Sequence, residues 1–421
     1  MEYYNIYEEN ERGSYTPGFF QMKLSFPFNI NDLSSLSQED LGTFVHEYIH
    51  FLQNTSTPFG LWQAMVYYQS ISEFFSYIQQ HIPISKPIEG YVPSKKVQSQ
   101  IELEKEASGC KDFFKINEKE PLIYSRSLQE IDGKRIDRIS ISFTDIQGNS
   151  QKIVLGAHII KESMAAIVQE LIDPTSNDKH DAIPYQVVSK LATRYAPNIA
   201  KDNKKLITLC FISLHTLNPG ITLINHMSYA NDNPDKNIIS LFEHFLENSI
   251  VRKNDGQKMT VEQLGDDIAK TFINVLESFI YGNKSTNKLI YLTEIINRVK
   301  ISSGMIPLLR LLTENDINVK LVEKAVEVCG TPVIWNIHGD LSIPNTINEE
   351  TSKEHPDFEV MALITNQALY KFLANPKIVV CPLIQFCQSV ISEESKDECY
   401  GVPWQGRDCL ISPIAKSIGL S

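Results

Sequence analysis

Two histidines and a glutamate carry the first chemical signal in this chain, in the run His46, Glu47, Tyr48, Ile49, His50. On a helix, residues four apart are separated by about 400° of rotation and ~6 Å of rise, so His46 and His50 project from nearly one side and can grip one ion together. Glu47 then sits one position round, beside the open coordination site. Zinc suits such a set: held by neutral imidazoles and a carboxylate, it keeps a fourth position for water, brings that water's pKa toward neutrality and polarises a substrate carbonyl. Glu47 is placed to accept the water's proton and pass it to a leaving amine. The bland alternative makes His46 and His50 ordinary packed histidines on a helix whose Phe44, Val45, Ile49 and Leu52 are core. It must then put two imidazoles and a carboxylate among apolar neighbours with nothing to compensate them.

The elements that have to hold these residues are legible around them. Ser37 is an N-cap residue, Glu39 and Asp40 favour the positive end of a helix dipole, and an apolar pattern runs from there through Leu52. Pro58, Phe59 and Gly60 break that helix, and 61–80 reads as a second one with Trp62, Met65, Val66, Ile71, Phe74, Phe75 and Ile78 on a broad apolar face. Before the motif, the aromatic-rich stretch 19–28 reads as a strand followed by a loop at 29–32. The segment 81–130, punctuated by prolines 83, 87, 93 and 121, reads as an insertion or lid with a charged helical stretch near 95–106. A hairpin follows from the alternation in 136–144 and 151–155 around a turn at 146–149.

Immediately afterwards 156–172 turns helical, with His158 and Glu162 one turn apart on a shared face. Beyond Pro184 the pattern is almost wholly helical to Cys329, with helices expected at 185–195, 204–217, 238–250, 261–281 and 288–300. A return to strand is expected within 331–343, and a helix near 358–373.

The motif resembles the signature of the zincin metallopeptidases, His-Glu-x-x-His on the active-site helix, here His46, Glu47 and His50. The metzincin branch adds a glycine and a third histidine close behind; the residues after His50 are Phe51, Leu52, Gln53, Asn54, Thr55, Ser56 and Thr57, and no histidine follows until His81. The gluzincin branch takes its third ligand from a glutamate on a later helix, which the resemblance carries onto Glu162, followed by the small residues Ser163 and Ala165 that let two helices approach. His158 on the same face is the main rival ligand; Glu170 and the pair His180 and Asp181 are weaker ones. Two features depart from the family. The separation from His50 to Glu162 is long, and Ala166 stands where thermolysin-like members carry an aspartate that buttresses a ligand histidine, so a buttress has to come from elsewhere. Tyr185, His226 and Tyr229 are candidates by type for stabilising an oxyanion.

Composition narrows the rest. Lys and Arg number 39 against 51 Asp and Glu, a net charge of −12 without long blocks of one sign, which disfavours nucleic acid as a partner. The start of the chain lacks a basic region and an apolar core of signal-peptide length, and apolar runs such as 206–217 and 379–386 are too short to cross a bilayer, so a cytoplasmic, non-membrane protein is expected. Seven cysteines fit a reducing compartment better than a disulfide framework. Four of them, Cys381, Cys387, Cys399 and Cys409, crowd into the tail and have the number, without the tight knuckle spacing, for a second, structural zinc. Cys110, Cys210 and Cys329 have no adjacent histidine pattern, and His215, His244, His338 and His355 read as structural or surface residues.

The expected architecture is α+β and mainly helical: a zincin-like metallopeptidase domain over 1–182, with a small sheet over the active-site helix, and a mainly helical C-terminal domain with a cysteine-rich tail over 183–421. The expected function is zinc-dependent hydrolysis of peptide bonds in a peptide or protein substrate. The alternative is a gated or non-proteolytic binding or regulatory protein on the same scaffold, in which the stretch 68–130 covers the ion.

Overall fold

The computed structural model describes residues 12–17, 20–81, 88, 90–117, 120–131, 133–176, 180–252, 256–281, 290–301, 317–336, 338–342, 356–375, 378, 380–389, 399, 409–418 and 420. The fold is α+β and mainly helical, with small sheets. Strand β1 (Gly13–Thr16) pairs antiparallel with β2 (Gln21–Leu24), and β2 pairs in parallel with Val333–Asn336, which in turn pairs with Leu341–Ser342. Among the described residues β1 is therefore an edge of this sheet. The sheet draws strands from both sides of residue 182, and one hydrophobic cluster runs from Phe20 to Leu420.

Helix α1 (Gln38–Ser56) lies at the centre. The Ser37 hydroxyl accepts from the Asp40 N–H at 3.1 Å, and Glu39 and Asp40 occupy the first turn, as the local signals imply. From Leu41 to Ile49 every residue is buried, so α1 is enclosed rather than one-sided. Thr57 separates it from α2 (Pro58–Gln80) and caps the second helix by accepting from Gly60 N–H at 3.1 Å. The break expected across Pro58, Phe59 and Gly60 is thus confined to Thr57. Proline at a first helical position has no N–H to waste and a preset φ, so Pro58 starts α2 rather than interrupting the chain for three residues. A Cβ at Gly60 would fall 2.4 Å from the Gln53 carbonyl oxygen, which is why this corner needs glycine.

Helix α3 (Lys95–Ser108) packs on α2 and on α4 (Ala157–Ile172). Between α3 and α4 a three-stranded antiparallel sheet is formed by β3 (Ile123–Ile131), β4 (Lys134–Thr144) and β5 (Ser150–Val154). The expected hairpin is β4 and β5. β3 is an addition within the stretch expected as an insertion or lid, of which prolines 83 and 87 lie outside the described residues. α4 runs against α1 in the opposite direction: Gln38 Nε2 donates to the Ile172 carbonyl at 2.7 Å at one end, and Gln53 Nε2 donates to the Lys161 carbonyl at 3.1 Å at the other. Helices α5 (Ala182–Tyr185), α6 (Val187–Tyr195), α7 (Asn203–Ser213) and α8 (Pro219–Asp232) pack against α4, α9 (Ile238–Asn248) packs on α7, and α10 (Val261–Tyr281) lies along α2. Among the described residues no helix is long and apolar enough to cross a membrane.

Candidate metal centre

The groove between α1 and α4 brings together His46, His50 and Glu162. Their donor atoms converge: His46 Nε2 is 3.2 Å from His50 Nε2, and each lies 3.3 Å from Glu162 Oε2. Glu162 reaches this point from α4, where Ser163 and Ala165 are small and wholly buried. Ser163 Oγ also donates to the Pro184 carbonyl at 2.8 Å, tying α5 to the same helix.

The donor set was tested against a metal ion on these contacts. His50 Nδ1 lies 2.9 Å from Gln53 Oε1, an acceptor, so Nδ1 carries the proton and Nε2 presents its lone pair to the cluster. Gln53 is itself held by the Lys161 carbonyl. A lone pair on His50, a carboxylate oxygen and an imidazole nitrogen of His46, withdrawn from water at mutual distances of 3.2 to 3.3 Å, form a set that one cation can bridge. Ligand arms of ~2.0–2.1 Å in a tetrahedron place neighbouring donors ~3.3 Å apart, the spacing found here, and two nitrogens with one oxygen suit zinc. The residues fit the group.

Burial pushes the Glu162 carboxyl up, but His50, His46 and His158 outweigh it and hold it well below the usual carboxylate range, so it stands ready as an anion. His158 Nδ1 is 3.8 Å from Glu162 Oε1, the oxygen away from the His46 and His50 contacts, and burial keeps the His158 pKa low. His158 therefore flanks Glu162 outside the converging trio. Among the described residues His46 Nδ1 is buried with no hydrogen-bond partner, in keeping with alanine at 166. The buttress found is Gln53, and it serves His50. Sequence reasoning missed it; the available signal was a polar residue three positions after His50 inside an otherwise apolar run.

Behind the groove the buried Lys161 ammonium donates to Asn54 Oδ1 at 3.0 Å and Gln63 Oε1 at 2.9 Å, joining α4 to α1 and α2, and burial lowers its pKa to about 8. In front lies a cleft of about 380 Å³ lined by His46, His50 and Glu162 together with Glu47, β1 and the α5 region. Glu47 is 8% exposed. β1 presses on it: a Cβ at Gly13 would be 2.8 Å from Thr43 Cγ2 and 3.0 Å from Glu47 Cγ, so glycine lets the edge strand approach the motif.

The other candidates divide cleanly. Tyr185 and His180 line the cleft, their rings 4.3 Å apart and 5.9 and 6.0 Å from the His46 ring, and His180 Nε2 is 3.0 Å from Gln169 Oε1. His226 packs edge-on against Phe245 and Tyr229 stacks on His244, and neither lines the cleft. Glu170 and Asp181 also lie off it, Asp181 facing Lys115 at 3.9 Å. The four tail cysteines are free thiols; Cys381 N–H donates to the Cys399 carbonyl at 2.8 Å, while burial followed by the nearby Cys409, Cys387 and Cys399 raises the Cys381 thiol to about 12. Among the described residues the group with metal-ligand convergence is His46, His50 and Glu162, and the cysteines do not form another. His355 lies outside the described residues. No protein-family model matches the chain, and neither a curated protein nor a solved structure matches it.

Proposed function

We propose that this chain is a zinc-dependent peptidase of the zincin type, gluzincin-like, in which His46, His50 and Glu162 hold the metal and Glu47 is the general base for hydrolysis of a peptide or protein substrate. The observation that carries the reading is the convergence of three donor atoms at 3.2 to 3.3 Å beside a motif glutamate in an open cleft. Zinc, when bound, supplies a lowered pKa for water and polarises the scissile carbonyl. Glu47 takes the proton from the attacking water and returns it to the departing amine. Tyr185 and His180, on the His46 side of the cleft, are the donors available to a developing oxyanion. β1, an edge strand among the described residues, offers backbone groups to an extended substrate.

A second reading, a gated or non-proteolytic binding protein, draws on the burial of the site: the side chains of His46, His50 and Glu162 are 9%, 12% and 16% exposed. Zinc per chain, measured by elemental mass spectrometry on tag-free wild type and His46→Ala, tests both. One zinc in the wild type and none in the variant is expected. Zinc-free wild-type protein overturns the metal site, and zinc-loaded protein that cuts nothing in a peptide library favours the second reading.

A further inference from the structure

The cleft has a second end. Glu162 lies on α4 and Asp173 is the C-cap of the same helix eleven residues on, roughly 16 Å along its axis, and both line the cleft. Asp173 is 3% exposed and lines the cleft. Its Oδ1 accepts from the Thr175 N–H at 3.1 Å and the Thr175 hydroxyl at 2.7 Å, but its Oδ2 is buried with no hydrogen-bond partner among the described residues. A buried carboxylate oxygen left unpaired is costly, and the deficit is removed by a cation.

The described residues do not provide that cation. Among the described residues lining the cleft, Arg12 is the only lysine or arginine, and it is engaged by Glu39 at 2.8 Å and by Asp40. Glu39 lines the same end, so carboxylates outnumber cationic side chains there. A Cβ on Gly42 would come within 3.0 Å of Asp173 Cβ, so α1 closes on Asp173 from the side and leaves the cleft as its approach.

We infer that this end of the cleft is a subsite for a cationic group of the substrate, an ammonium or guanidinium paired with Asp173, several residues from the bond that is cut. The inference rests on the peptidase reading for its distance from the cut, but its test is binding. Full-length, zinc-loaded Glu47→Gln protein is titrated, by fluorescence anisotropy, with decapeptides in which one lysine, or uncharged norleucine of similar length, is moved position by position. Each peptide is made with a free and with an acetylated N-terminus.

Lysine at one position should bind roughly 30-fold tighter than norleucine, and the gain should vanish when Asp173→Asn is added. A gain that survives acetylation assigns the cation to a side chain; a gain that follows the free terminus assigns it to an α-ammonium. Equal binding of lysine and norleucine peptides at every position, with either terminus, overturns the subsite with Asp173 intact, whatever the variant does to folding. So does failure of every peptide to bind. Cleavage by the wild type is scored separately: cation preference without cleavage sinks the peptidase reading and leaves the subsite, and cleavage without preference does the reverse.

Discussion

His46 and His215 are withdrawn from solvent to the same degree, 7% and 9% exposed, yet they sit in opposite kinds of surroundings. His215, just past α7, lies against Phe211, Phe242 and Phe245 with ring centroids 4.5, 5.5 and 6.1 Å away, and its Nδ1 donates to the Phe211 carbonyl at 3.0 Å. That is a neutral imidazole in an aromatic box, and burial pushes its pKa down to about 4. His46 faces a second imidazole and a carboxylate. Burial therefore does not distinguish the proposed ligand from a core histidine. Convergence of several nitrogen and oxygen donor atoms on one point does, because such a set can hold a cation and aromatic rings do not present one.

The largest effect should come from the base. Glu47→Gln is expected to lower peptide hydrolysis by about 10³-fold while one zinc per chain is retained, measured by steady-state cleavage and metal content on the same preparation. Retained activity would remove Glu47 from the role.

The other histidine should respond in stability and not in metal. The unfolded chain protonates His215 near its ordinary value of 6.5, the folded chain only near 4, so its contribution is fully present above the first value and is lost as pH falls through the second. Between pH 7 and pH 4, metal-free wild type should lose up to ~3 kcal/mol more stability than metal-free His215→Leu in urea unfolding. Both proteins should bind zinc equally at pH 7. An unchanged pH dependence would mean that His215 is hydrated.

The smallest effect belongs to the buttress. Gln53→Ala should weaken zinc about 10- to 100-fold in chelator competition, and Gln53→Glu, which still accepts from His50 Nδ1 but cannot donate to the Lys161 carbonyl, should restore only part of it. Equal affinities would show that His50 needs no orienting partner.

What could be read from residue order was what depends on one helix at a time. The i, i+4 spacing of His46 and His50, the Ser37 cap and the shared face of His158 and Glu162 are local, and the structure places all of them on helices. Strand β3 escaped because it is largely exposed and carries no apolar alternation, and β1 because its four residues are legible only once β2 pairs with them. Gln53, His180 and Asp173 are placed by contacts that no spacing announces: a carbonyl on another helix, a glutamine at 169 and the Thr175 N–H and hydroxyl.

By itself, then, the amino-acid order determined that two imidazoles and a carboxylate ride on a capped helix and that the chain is α+β and mainly helical, because helical periodicity and capping are properties of neighbouring residues. Only the tertiary structure decided which glutamate completes the cluster, that His158 stands aside, and that an edge strand bearing Gly13 roofs the cleft. Each of those depends on the packing of α4 and β1 against α1, and packing of segments distant in the chain is set by shape and burial across the whole core.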